Sequence, residues 1–142
     1  MPHPDSEKLV ASLPQQPPFR FVDAVDEVVV GERVRARYRV TGDESFLAGH
    51  FPGNPVFPGV LQLEALAQTG VISMIGDERY TGKLALFGGV EDVRFRRIVR
   101  PGDEMVLAVD IEKLSSRGGW AKGRATVDGD TSCEGRLFFA IA

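Results

Sequence analysis

The fold of this chain is decided by the stretch VLQLEALAQTGVISMI, which covers residues 60–75. Read as a helix, it is apolar on nearly every side, and such a helix is typically buried rather than laid on a surface. Pro58 and Gly59 mark its start, and Gly76 marks its end. The sequence therefore predicts one buried helix that other elements must surround.

Strand patterns fill most of the remaining sequence. Residues 33–40 alternate strictly, with four arginines on one face and apolar side chains on the other. Further strands are predicted at 83–87, 93–99, 104–111, 120–127 and 132–141, and Asp128-Gly129 signals a hairpin turn. A short helix capped by Asp5 or Ser6 precedes them. Because helical crossovers are scarce, antiparallel pairing is favoured. The fold class predicted is α+β: a curved antiparallel sheet around one central helix.

Length and composition narrow the function classes. The 142 residues (15.5 kDa) predict a single domain over residues 1–142. A net charge of −3 argues against general nucleic-acid binding. One cysteine and two histidines exclude an internal disulfide and make a structural metal site unexpected. No apolar stretch is long enough to span a membrane, and the polar start does not resemble a secretory signal. We therefore expect a cytoplasmic protein.

Glu64 is the only charged residue between Phe51 and Gly76. Burial raises the pKa of a carboxyl group, and a carboxyl that is partly protonated near neutral pH is a candidate general acid. Gln68 lies four residues later, on the same helix face, where its amide could orient the Glu64 carboxyl. The alternative is a structural carboxyl satisfied by the backbone or by water.

The segment before the helix carries a second candidate group. His50 begins a run of ten residues, 50–59, that contains three prolines and two glycines, and such a loop has a stiff path that could hold an imidazole in one place. At its end, the free Gly59 N–H at the helix start could receive a developing oxyanion. For the loop, the alternative is a connection whose prolines and glycines only shape its path. For Gly59, the alternative is an ordinary glycine at a helix start. A base, an acid and an oxyanion site together suit elimination of water from a β-hydroxy carbonyl compound.

The motif of residues 49–60, GHFPGNPVFPGV, followed by Glu64-Ala-Leu-Ala-Gln68, resembles the 3-hydroxyacyl-(acyl-carrier-protein) dehydratases of type II fatty-acid synthesis, the FabZ type. The resemblance extends from about Leu13 to Ile141. It implies a hot-dog fold and a homodimer. In the family, three such dimers often assemble into a hexamer. It also implies an active site at the dimer interface, with His50 from one subunit and Glu64 from the other.

The resemblance assigns two further residues. The Gly59 amide would hold the thioester carbonyl, and Gln68 would match the glutamine that follows the helix acid. The related FabA-type dehydratase/isomerases carry Asp at the position of Glu64, so a plain dehydratase is favoured. No cofactor is expected, because the phosphopantetheine arm arrives as part of the substrate. Gln15-Gln16 replaces the His-Arg that is common in the family. Phe57 replaces a usual Met and could alter the acyl tunnel and hence the preferred chain length.

Four arginines lie within seven residues of this otherwise acidic chain: Arg94, Arg96, Arg97 and Arg100. A local basic patch would attract an acidic acyl carrier protein and raise its encounter rate. Family members dock their carrier protein near this region, and the alternative is a solvated strand face. Two other functions stay open from the sequence: a hot-dog thioesterase, in which Glu64 activates water, and a non-catalytic module that binds acyl thioesters.

Overall fold

The computed structural model describes residues 1–142 and contains three α-helices and six β-strands. The helices are α1 (Ser6–Ala11), α2 (Leu47–His50) and α3 (Gly59–Ile72). The strands are β1 (Ala24–Val29), β2 (Arg33–Arg39), β3 (Ala85–Phe95), β4 (Glu104–Ser115), β5 (Gly118–Val127) and β6 (Asp130–Ile141). None of the helices is long and apolar enough to cross a membrane.

All six strands form one antiparallel sheet in the order β1-β2-β4-β5-β6-β3. Helix α3 lies in the main core and packs against every strand except β1. Its small residues allow a close approach, since a Cβ on Gly70 would come within 2.8 Å of the Phe139 ring. The predicted arrangement, an antiparallel sheet around one buried helix, is confirmed.

The alternation of β2 explains why one face of the sheet is charged and the other apolar. Val34, Ala36 and Tyr38 enter the core, while the arginines between them stay on the outer face. There Arg35 binds Asp110 at 2.9 Å. Glu112, also on β4, binds Arg136 of β6 instead, at 2.9 Å.

The predicted hairpin turn at Asp128-Gly129 is confirmed. Val127 pairs with Asp130 across a two-residue loop, and both loop residues have positive φ angles, 51° and 85°. This backbone twist matches the right-handed twist of paired strands, and Asp-Gly is one of the few dipeptides that tolerate it. Beyond the turn the register shifts between Thr126 and Ala125, so Ser132 is the extra residue of a β-bulge, and it lies against α3.

Three sequence predictions need correction. Strand β1 was not predicted, because a register shift between Val25 and Glu27 breaks its alternation. The two strands predicted at 83–87 and 93–99 are one strand, β3, which carries two register shifts and ends at Phe95. Helix α3 ends at Ile72, three residues before the predicted Ile75, and a tight turn follows.

Candidate active site

His50 is the last residue of α2, and its imidazole is held by one hydrogen bond. Nδ1 lies 2.8 Å from the carbonyl oxygen of Val56, across the proline-rich loop. Because a carbonyl oxygen only accepts, the proton of the neutral ring must be on Nδ1, and Nε2 keeps its free lone pair. The Phe51 ring packs on the imidazole with a centroid distance of 4.5 Å. The loop therefore presents Nε2 of His50 as a proton acceptor.

Two tethers fix the loop that carries His50. Phe57 N–H donates to the carbonyl of Val99 at 2.8 Å, and Arg100 Nη1 donates to Asn54 Oδ1 at 2.7 Å. Both tethers end on the segment that follows β3. The His50 loop is thus held at two points to the segment after β3, in addition to being stiffened by its prolines.

Glu64 lies half-buried on α3 beside a fully buried amide. Gln68 Nε2 donates to Glu64 Oε2 at 3.0 Å and to the Phe19 carbonyl at 3.0 Å, while Gln68 Oε1 accepts from Phe21 N–H at 2.8 Å. Burial raises the pKa of the Glu64 carboxyl, and the Gln68 hydrogen bond partly opposes this rise. The carboxyl is therefore oriented by Gln68 and keeps its proton to a higher pH than an exposed glutamate.

Gly59 is the first residue of α3, with Pro58 before it as the N-cap. The N–H groups of Gly59 and Val60 donate to no acceptor in the chain, as expected for the first turn of a helix. A Cβ at Gly59 would lie 3.0 Å from two ring carbons of Phe95, so a side chain at this position would displace that ring. The geometry leaves two backbone donors free beside a half-exposed aromatic side chain.

A cavity of about 250 Å³ lies at this end of α3. Its wall includes the helix start, the end of the His50 loop and the end of β3, and it is formed by Val56, Phe57, Gly59, Gln62, Phe95, Arg96, Arg97 and Ile98. Phe57, predicted as a tunnel residue, borders this cavity but is almost fully buried. Its ring packs against Phe21 at 5.7 Å and Phe46 at 5.9 Å, so most of its contacts are with the core.

Only some of the predicted site residues contact one another or line the same cavity within the chain. Glu64 and Gln68 are hydrogen-bonded, and Gly59 and Phe57 share the cavity. No hydrogen bond or ion pair within the chain connects His50 with Glu64. The two groups are therefore held by separate sets of partners, His50 by the proline-rich loop and Glu64 by Gln68.

The four clustered arginines differ in their partners. Arg96 binds Glu134 through two nitrogens at 2.8 and 3.0 Å, and Arg97 binds Asp130 at 3.0 Å. Arg94 donates only to the Val93 carbonyl, and Arg100 donates to Asn54. Two of the four charges are therefore neutralised by carboxylates, and only Arg94 and Arg100 lack a carboxylate partner.

Sequence reasoning missed two contacts near the site. Gln62 is hydrogen-bonded to Ser132 across 70 positions, and Asn54 to Arg100 across 46. One signal pointed to Gln62, since it is the polar residue in a first helical turn whose other residues are Gly59, Val60 and Leu61. Nothing local in the sequence pointed to the Asn54–Arg100 pair.

Comparison with known proteins assigns the family. A profile of FabA-like domains matches residues 13–136. The chain belongs to the FabA-like family. Similar curated proteins are 3-hydroxyacyl-(acyl-carrier-protein) dehydratases FabZ. The one from Oenococcus oeni is 51% identical over 129 residues (91% of this chain and 93% of the relative). The one from Herpetosiphon aurantiacus is 46% identical over 135 residues (95% and 96%).

The resemblance to FabZ-type members of the FabA-like family is thus confirmed over nearly the full chain. A solved structure, the dehydratase heterocomplex ApeI:P from Xenorhabdus doucetiae, matches with a TM-score of 0.61 and 19% identity. The match covers 78% of this chain and 89% of that one. Together with the observed topology, this match confirms the predicted hot-dog fold.

Proposed function

We propose that the protein dehydrates 3-hydroxyacyl chains carried on acyl carrier protein to trans-2-enoyl chains, as a hydro-lyase of fatty-acid biosynthesis. The observation that carries this proposal is the similarity to FabZ dehydratases over nearly the full chain, such as 51% identity to the one from Oenococcus oeni. The geometry supplies a matching set of groups: an oriented imidazole, a carboxyl with a raised pKa and free amide donors at a helix start.

In the proposed mechanism, Nε2 of His50 removes the proton from C2 of the acyl chain. The electrons of that C–H bond delocalise onto the thioester oxygen, where the Gly59 N–H stabilises the developing negative charge. Glu64 then gives its proton to the 3-hydroxyl group as the C3–O bond breaks. The electron pair forms the C2=C3 double bond, and water leaves. His50 ends protonated and Glu64 ionised, so one proton transfer between them or through solvent resets the site.

Two features support the proposed homodimer. Strand β3 lies at one edge of the sheet, so one of its hydrogen-bonding edges has no partner in the chain. Its side chains Leu86, Phe87, Val90 and Phe95 are exposed. An unpaired edge with exposed apolar side chains is a template for pairing with another strand. A second copy would cover this edge and bring another α3 near the His50 loop; three such dimers would form the hexamer. Light scattering after size-exclusion chromatography tests the oligomeric state.

The carrier protein is proposed to dock beside the end of β3. Arg94 and Arg100 are exposed and have no carboxylate partner, so they are better candidates for an acidic partner than Arg96 and Arg97. No cofactor is proposed, since the phosphopantetheine arm belongs to the substrate. The proposed compartment is the cytoplasm. Charge reversal at Arg94 should raise KM for a carrier-bound substrate and leave KM for a pantetheine thioester unchanged.

The reaction is tested in its reverse direction with crotonyl pantetheine. Hydration removes the conjugated double bond, so the enoyl absorbance should fall, and mass spectrometry should find the 3-hydroxy thioester with one added water. Release of free acid and thiol would instead indicate the thioesterase, in which Glu64 activates water at the carbonyl. Binding of long carrier-bound enoyl chains without any conversion would indicate the non-catalytic module.

A further inference from the structure

The first turn of α3 contains a buried side chain that the proposed mechanism does not use. Gln62 is only 2% exposed and lines the cavity at the helix start. Its Oε1 accepts a hydrogen bond from Ser132 Oγ at 2.7 Å, and Ser132 is itself fully buried in β6. This bond fixes the orientation of the Gln62 amide plane.

The other end of the Gln62 amide is unpaired. Nε2 donates to no group in the chain, although buried donors in proteins nearly always find a partner. The one buried side-chain polar atom without a partner is Gln15 Oε1, so the Gln62 nitrogen is not sealed inside the core. Because Gln62 lines the cavity, that is where its Nε2 remains accessible.

Gln62 and Gly59 line the same cavity. Helix side chains lean toward the N-terminus of their helix. The side chain of Gln62, three residues after Gly59, therefore covers the turn that begins at Gly59. The axial separation of the two residues is about 4.5 Å, which the length of a glutamine side chain spans. Nε2 of Gln62 and the Gly59 N–H are therefore two free donors that border one cavity.

We propose that the Gln62 side-chain amide is a second hydrogen-bond donor to the carbonyl oxygen of the acyl thioester. A carbonyl oxygen has two lone pairs, and sites that stabilise an oxyanion commonly use more than one donor. Gly59 supplies a backbone donor and Gln62 a side-chain donor, which Ser132 holds in place. This inference rests on the proposed function, because it assigns the ligand as the thioester of that reaction.

The test replaces the donor in two ways. Gln62→Met keeps the side-chain length without a donor, and Gln62→Glu, assayed at a pH where its carboxyl is ionised, keeps an oxygen for Ser132 but has no proton to donate. Each variant should lower kcat for crotonyl pantetheine hydration by about 100-fold with little change in KM, because the donor acts most strongly on the developing oxyanion. Gln16→Met, the same substitution at an exposed position, should keep the wild-type rate. Near-wild-type kcat in a folded Gln62→Glu variant would overturn the proposal, even if Gln62→Met does not fold.

A second readout separates a donor from a structural role. With Glu64→Gln in the background to block turnover, the infrared carbonyl stretch of the bound enoyl thioester should lie below that of the free ligand. Adding Gln62→Glu should move it back toward the free frequency. A lower kcat with an unchanged carbonyl frequency would mean that Gln62 only supports the fold, which overturns the assignment. If wild type does not hydrate crotonyl pantetheine, the proposed function fails, and the frequency shift still decides whether Gln62 contacts a carbonyl.

Discussion

Two glutamines on α3 are almost equally buried but differ in what they bind. On one face, the Gln68 amide uses both ends and makes three hydrogen bonds, to Glu64, the Phe19 carbonyl and Phe21 N–H. On the other face, Gln62 uses only its oxygen. A saturated amide holds other groups in position, whereas a half-saturated amide has capacity for a ligand. The comparison separates residues that support the site from residues that contact substrate.

Loss of the acid should give the largest effect. Glu64→Gln retains an acceptor for Gln68 but cannot deliver a proton, so kcat for dehydration should fall by about 10³-fold. His50→Ala should cause a similar loss, because no base remains. Glu78→Gln is the matched control, since Glu78 is an exposed glutamate outside the site. Rates within a few-fold of wild type in either folded site variant, measured by the enoyl absorbance, would remove that residue from the mechanism.

Gln68 and Gln62 should differ most in stability. Gln68→Met leaves the Phe21 N–H and the Phe19 carbonyl without their partner, which should cost about 2–3 kcal/mol of unfolding free energy. Gln62→Met should cost less than about 1 kcal/mol, because the Ser132 hydroxyl can turn its one proton to the Ala125 carbonyl, 3.2 Å away. Urea unfolding followed by circular dichroism measures both values. Equal losses would contradict the division between a positioning amide and a ligand-binding amide.

Glu64 should also make stability depend on pH, with a small effect. Burial raises its pKa, so the folded state holds this proton at pH values where the unfolded chain has released it. The wild type should therefore lose stability as the pH rises through the interval from the unfolded to the folded pKa of Glu64. Glu64→Gln lacks this loss, so its Tm should exceed that of wild type by about 1–3 °C at pH 8. Calorimetry should find that the difference shrinks toward pH 4, and a constant difference would contradict the assignment.

The helix and most strands were predictable because their patterns are local. An apolar stretch gave α3 within three residues, and strict alternation gave β2. Strand β3 was split because Gly88-Gly89 reads as an interruption, yet the glycine serves a tertiary contact. A Cβ at Gly88 would come within 2.7 Å of the Phe138 ring of β6. That ring comes from a residue 50 positions away, so the pattern of β3 alone could not reveal it.

The site residues also differ in whether a local sequence pattern predicts them. His50, Gly59, Glu64 and Gln68 lie within one short stretch whose spacing indicates their chemistry. Partners of the residues around them come from distant strands and loops: Ser132 binds Gln62, Arg100 binds Asn54, and the Phe19 and Phe21 backbone binds Gln68. Hydrogen bonds between such distant positions depend on the register of the sheet, which local patterns do not determine.

The most direct test asks whether His50 and Glu64 act on one substrate from two different subunits. His50→Ala and Glu64→Gln proteins, each carrying a different tag, are mixed in equal amounts and allowed to exchange subunits. In a mixed dimer with shared sites, one site combines both intact residues and the other combines both losses. Random exchange should therefore restore about one quarter of wild-type hydration. No recovery in dimers that carry both tags would contradict a site shared between subunits.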